Sequence, residues 1–210
     1  MFDLEEQEKI DAIKRFWKQY GHAIIAGAVV LVIGFGGMQG WNHYQRMQIE
    51  HASILFSSLE DAVRKNDVIE IRNVGAQVIE RYGRTAYGPM AALIMAKTNH
   101  ENDDLDSAAA QLRWAVDRAR DEDVKLLARL RLAGVLLDKG EHAEALQLLN
   151  VTTTDAYVAV FADMRGDLLV AEGRLDEARA AYRQALEKVS EQSQWRNVVQ
   201  IKLDALGNPQ

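Results

Sequence analysis

Residues 19–45, QYGHAIIAGAVVLVIGFGGMQGWNHYQ, contain no Asp, Glu, Lys or Arg, although charged residues crowd both flanks. At about 1.5 Å rise per residue, the stretch from His22 to Trp41 forms a helix of about 30 Å, the thickness of a bilayer's hydrocarbon core. A cleaved secretory signal fits less well. Its apolar run is shorter and follows a basic leader, whereas this leader (DLEEQEKIDAIKR) is mixed and acidic, and the one small-x-small site, Gly34-Phe35-Gly36, is poor. The expectation is an uncleaved single transmembrane helix over residues 21–41.

The flanks orient it. Lys9, Lys14, Arg15 and Lys18 precede the run, and Arg46 is the only Lys or Arg between Lys18 and Arg64, so the N-terminus is expected in the cytoplasm and the rest of the chain outside. Trp17 and Tyr20 on one side and Trp41 and Tyr44 on the other sit where aromatic rings meet the headgroups. Within the span, Ala23, Gly27 and Gly34 fall near one helical face, and Gly36 and Gly40 form a Gly-x-x-x-Gly. These glycines permit close packing against a second membrane helix. Glycine is also simply common in membrane helices, and both readings stay open.

Residues 1–20 place Ile10, Ile13, Trp17 and Tyr20 on one apolar stripe, with Glu5–Lys9 and Asp11–Arg15 as i,i+4 pairs. This is a cytoplasmic amphipathic leader, either a plain interfacial ramp or a docking motif. The formal net charge is −6, of which residues 1–44 carry −1. An acidic remainder without a basic face argues against nucleic acid as a partner. With no cysteine in the chain, disulfides, thiolate catalysis and lipidation of an N-terminal Cys are all excluded.

Beyond residue 45, two prolines and abundant Ala, Leu, Glu, Arg and Gln point to an all-α domain. Residues 42–88 read as a first helical hairpin, with breaks at Asn66-Asp67 and Gly83; Gly88-Pro89 reads as a turn before the next helix. Residues 89–188 repeat themselves. LDSAAAQLRWAV (105–116) and LDEARAAYRQAL (175–186) align without a gap, and HAEALQLLNVTT (142–153) lies between them with Ala145 in register.

A period near 34 with small residues on both sides of an inter-helix turn is the tetratricopeptide signature. Gly166, Gly173, Ala178, Tyr182 and Ala185 form the reference columns; their equivalents are Ala133, Gly140, Ala145, Leu149 and Thr152, then Ala96, Asp103, Ala108, Leu112 and Ala115. The motif's first-helix aromatics are replaced by Ala162 and Leu169, and its proline by Ser190. Small residues let paired helices approach, and such hairpins bury their apolar faces only by stacking. Residues 189–210 supply a final amphipathic helix, with Trp195, Val199, Leu203 and Leu206 on one face, expected to cap the stack.

The five histidines are scattered, and no HExxH, P-loop, GxSxG or paired-carboxylate pattern appears, which argues against an enzyme and against a cofactor. The acidic ENDDLD (101–106) lacks the Gly and distal Glu of a calcium loop and is read as a helix cap. Stacked hairpins present a concave face for partners. The motif's groove positions fall on Met90, Leu93, Lys97, Leu130, Asp163 and Asp167.

EKIDAIKRFWKQYG before a single span, RYGRTAYGPMAAL opening the repeats and QIKLDALG at the end resemble the YfgM family over nearly the whole chain. The resemblance implies an inner-membrane ancillary subunit of the SecYEG translocon with a periplasmic repeat domain. It further implies partnership with the membrane-anchored chaperone PpiD and transfer of exported proteins to periplasmic chaperones. An alternative implied by the resemblance is regulation of an envelope stress response through the cytoplasmic segment.

Overall fold

The structure, a computed structural model, describes residues 2–207, and its described regular elements are all α-helices. In order they are α1 (Phe2–Arg64), α2 (Val68–Tyr82), α3 (Tyr87–Glu101), α4 (Leu105–Arg118), α5 (Glu122–Asp138), α6 (His142–Leu148), α7 (Asp155–Ala171), α8 (Leu175–Lys188) and α9 (Gln194–Ala205). The chain divides into two compact units, Met1–Glu50 and His51–Gln210.

The first unit is helical and turns its described apolar side chains outward. Leu31, Val32, Ile33 and Phe35 are 66–74% exposed, and Trp17, Tyr20, Trp41 and Tyr44 are exposed as well. Among the described residues no helix is long and apolar enough to cross a membrane. The side chains of Ala23, Ile24, Ala26, Ala28, Val29 and Val30 lie outside the described residues, as do those of Glu5, Asp11, Ile13 and Arg15. The glycines between Gly27 and Gly40 also hold the hydropathy of this stretch down.

The second unit is a run of helical hairpins, and its turns explain the pairing. Asn66, Asp103, Gly140 and Gly173 all have left-handed backbone, with φ between 53° and 76°. After each, the next residue donates its N–H to a carbonyl five positions back: Asp67 to Ala62, Asp104 to Asn99, Glu141 to Leu136 and Arg174 to Leu169, at 2.8–3.0 Å. This bond satisfies a helix-end carbonyl and stops the helix. Aspartates then start three helices: Asp67, Asp104 and Asp121 accept from the backbone N–H of Glu70, Ser107 and Val124. The serine next to the acidic loop thus lowers the Asp104 carboxyl below its ordinary range.

One packing rule recurs at these turns. The residue seven before the turn and the residue nine after it are a small and a large partner, all buried: Ala96 and Leu112, then Ala133 and Leu149, share one apolar cluster, and Gly166 lies against Tyr182. A methyl group on Gly166 would lie 2.3 Å from Tyr182 Cε1, so only glycine fits there. At the Asn66 turn the same two positions hold Leu59 and Gly75, with large and small exchanged. A methyl group on Gly75 would meet Met95 at 2.6 Å and Leu59 Cδ1 at 3.8 Å.

Three apolar clusters result. Phe56, Leu59 and Ala62 at the end of α1 pack with Ile71, Val74 and Val78 of α2 and Ala91 of α3. The largest cluster joins α3 through α7, and a third joins α7 and α8 to Val199, Trp195, Leu203 and Leu206 of α9. Two local expectations are corrected. α6 ends at Leu148, so Thr152 is exposed in a loop and not in the helical Ala115/Ala185 column; Asn150 and the β-branched run Val151–Thr154 are poor helix formers. Gly88-Pro89 lies inside the first turn of α3, where proline's missing N–H leaves no helical bond unmade.

Candidate functional site

The first helix of successive hairpins, α3, α5 and α7, borders a cleft of about 490 Å³. Ala96, Leu112, Val135, Leu137 and Met164 give it apolar walls, and Gly134 sits among them without a side chain. Its charged groups are Lys97, His100, Arg131 and Asp138. All four are exposed, so they form a rim and not a floor. His100 Nε2 and Asp138 Oδ2, 2.7 Å apart, tie α3 to α5 across that rim. An apolar trough with charged edges recognises side chains projecting from another polypeptide better than a small polar ligand, which needs buried groups to orient it.

A second constellation lies where α9 meets α7 and α8. Lys202 Nζ donates to Asp163 Oδ1 at 2.9 Å and to Asp167 Oδ2 at 2.7 Å, while the Tyr182 hydroxyl donates to Asp167 Oδ1 at 2.7 Å. Burial pushes the Asp163 carboxyl above its ordinary range, outweighing the bond from Lys202. Burial also works against the Lys202 ammonium, but its two carboxylate partners prevail and hold it above the ordinary lysine value. Burial and the bond to Asp167 together hold the Tyr182 hydroxyl far above its usual value. Arg179 completes the attachment, donating from Nε to the Gly207 carbonyl and from its second terminal nitrogen to that of Leu206, at 3.1 and 2.7 Å. These charges clamp the last helix.

The six expected groove residues are therefore distributed. Lys97 lines the cleft. Met90 is exposed near the start of α3, Leu93 is buried in the central cluster, and Leu130 packs against that cluster from α5. Asp163 and Asp167 are held by Lys202. His100, Arg131, Gly134, Val135, Asp138 and Met164 line the cleft and went unnoticed in the sequence. Gly134, a glycine in the middle of an otherwise helix-forming run, was the one visible signal. In the first unit, Gly27, Gly34, Gly36 and Gly40 are exposed, and a methyl group on any of them would meet nothing within 4 Å.

The family of tetratricopeptide repeat-like domains matches residues 14–208. A Haemophilus influenzae protein is 31% identical over 98% of this chain and 99% of its own length, and a Neisseria gonorrhoeae protein is 29% identical over 97% and 98%. An Escherichia coli protein is 28% identical over 84% of this chain and 85% of its own. Each bears the name ancillary SecYEG translocon subunit. The chain belongs to the YfgM family of tetratricopeptide-like proteins. The match begins before the first repeat and runs past α9, so the YfgM resemblance covers both units and not only the generic hairpins.

Proposed function

We propose that this chain is a membrane-tethered, non-enzymatic adaptor of the SecYEG translocon. Residues 21–41 anchor it in the inner membrane, residues 1–20 face the cytoplasm, and the repeat domain stands in the periplasm. There it works beside a PpiD-like membrane-anchored chaperone and helps pass exported proteins to periplasmic chaperones. The observation that carries this reading is the open apolar cleft on α3, α5 and α7 in a chain whose near full-length relatives are named as translocon subunits.

Supporting it, the basic residues before the uncharged run satisfy the positive-inside rule, and the exposed band Leu31–Phe35 requires lipid or a protein partner to cover it. Gly27 and Gly34 on one helical face, and Gly36 and Gly40 on the opposite one, offer close-packing surfaces toward a membrane partner. Tethering raises the cleft's effective concentration beside the translocon, so modest affinity suffices.

The test has two parts. Protease added to spheroplasts digests the chain after about residue 45 and spares the N-terminus; protection of the repeat domain overturns the topology. Co-purification of translocon subunits is then compared among the full chain, a form with polyleucine in place of residues 21–41, and residues 45–210. The full chain recovers most and the tetherless form least. Failure of the full chain to recover the translocon removes the adaptor reading.

A further inference from the structure

Gly134 is a helix-interior glycine for which the folded chain offers no internal reason. Glycine within a helix is less favourable than alanine because it has more backbone freedom to lose. Gly166 and Gly75 answer that disadvantage by admitting Tyr182 and Met95, where an added methyl would clash at 2.3 and 2.6 Å. Gly134 does not. A methyl group there would meet only Met164 Cε, at 3.6 Å, an ordinary contact.

Its position is informative. One residue after the small column, α3 carries Lys97 and α7 carries Asp167, both with side chains, while α5 carries Gly134 in the wall of the cleft. The glycine keeps that cleft open. Around it the charge is unbalanced. Asp138 is engaged by His100 at 2.7 Å. Lys97 has only the exposed Glu101 at 3.6 Å, and Arg131, in electrostatic reach of Tyr157, forms no ion pair among the described residues. Two cations thus flank an apolar notch in a chain whose net charge is −6.

We propose that Gly134 forms a socket for a large apolar side chain of a partner polypeptide, whose neighbouring carboxylates are held by Lys97 and Arg131. The proposal rests on the adaptor reading for its partner class. The knob supplies apolar burial in the notch, and the flanking acids supply register and discrimination against basic segments. A second copy of this chain and a partner without acidic residues are the competing occupants.

The probe is a fluorescein-labelled amphipathic peptide of about 15 residues with Leu at its centre and Glu one turn to either side. Binding is read by anisotropy to the full chain in nanodiscs. Exchanging Glu for Lys, or the central Leu for Ala, weakens binding about tenfold in each case. Gly134→Ala raises the melting temperature by about 2 °C while weakening the peptide several-fold, and Gly134→Met, which fills the notch, removes binding. The opposite movement of stability and binding separates a socket from a merely tolerated glycine.

Equal binding of the Glu and Lys peptides, or unchanged binding by Gly134→Met, overturns the proposal. So does a dimer of the full chain that Gly134→Met dissociates, since the occupant is then a second copy. Translocon co-purification by the wild-type chain is measured in parallel. Its loss sinks the adaptor reading, whereas its retention without peptide discrimination sinks the socket alone.

Discussion

Gly166 of α7 and Tyr182 of α8 occupy one site between them: a methyl group on the glycine would lie 2.3 Å from the ring's Cε1 and 2.5 Å from its Cδ1. The ring is 2% exposed, and its hydroxyl is fixed on Asp167 at 2.7 Å, so it has nowhere to swing. The other hairpins place buried alanine and leucine, or leucine and glycine, at the same two positions. Complementary volume across the helix pair is therefore the rule, and the identity of either residue is secondary.

Gly166→Ala accordingly destabilises the repeat domain by about 1 to 3 kcal/mol through overpacking, even though alanine is the better helix former. Adding Tyr182→Leu recreates the Ala133–Leu149 pairing and recovers part of the loss. Thermal unfolding of the two single variants and the double variant measures the coupling. Additive losses would remove the volume-matching account.

The turn residues give an opposite sign. Asn66 and Asp103 hold φ of 53° and 59°, where Gly140 and Gly173 do the same work without a Cβ penalty. Asn66→Gly and Asp103→Gly are expected to raise stability by a few tenths of a kcal/mol each, and Gly140→Ala to lower it by about 1 kcal/mol. Denaturant midpoints decide this, and a gain from Gly140→Ala would contradict it.

Lys202→Met leaves the buried Asp163 carboxylate without its cation. Removing one partner of a fully buried pair costs about 3–5 kcal/mol; with Lys202's side chain 30% exposed, about 1–3 kcal/mol is expected. The pH dependence carries a sign. Asp163 is already raised in the folded protein, and losing Lys202 raises it further. A raised carboxyl lends its full stability below the unfolded value of about 3.8 and loses it as pH rises through the folded value. The deficit of Lys202→Met is therefore largest near pH 8 and shrinks toward pH 5. In the wild type, the contribution of Lys202 persists until pH climbs past 10.5 to its raised folded value. Melting temperatures of both proteins at the two pH values test this, and a constant difference would refute it.

The hairpin columns were legible because alanine and glycine recur beside turn residues that punctuate the chain: Ala96, Ala133 and Gly166 stand out in the sequence itself. The hairpin at Asn66 hid its kinship, since Leu59 and Gly75 reverse the order of small and large. Thr152 aligned in register, yet an alignment carries no record of where β-branched residues end a helix early. The cleft was illegible for a different reason. Its lining depends on how α3, α5 and α7 are set against one another, and the motif's groove register placed Asp163 on a partner surface when Lys202, 39 residues away, holds it.

The reversed pair predicts where the independently folding unit begins. Ala52 and Leu59 are fully buried and Phe56 nearly so, all on the last part of α1, and Phe56 and Leu59 pack with Ile71, Val74 and Val78 of α2. Without them, Gly75 faces α3 at Met95 but loses Leu59 on its other side. A fragment of residues 51–207 is expected to unfold in one cooperative transition, because its three apolar clusters lie wholly within it. A fragment of residues 68–207 lacks one layer of the first cluster. It exposes the apolar face of α2, which can then fray from α3, as terminal repeats do when their cap is removed. Burying a side chain such as Leu59 or Phe56 contributes about 1.5–3 kcal/mol, so the loss amounts to several kcal/mol. Hydrogen exchange on both fragments locates it: amides of α2 lose protection in the shorter one, while those of α5 and α7 keep theirs. Equal protection of α2 in the two would mean that the end of α1 does not belong to the repeat stack.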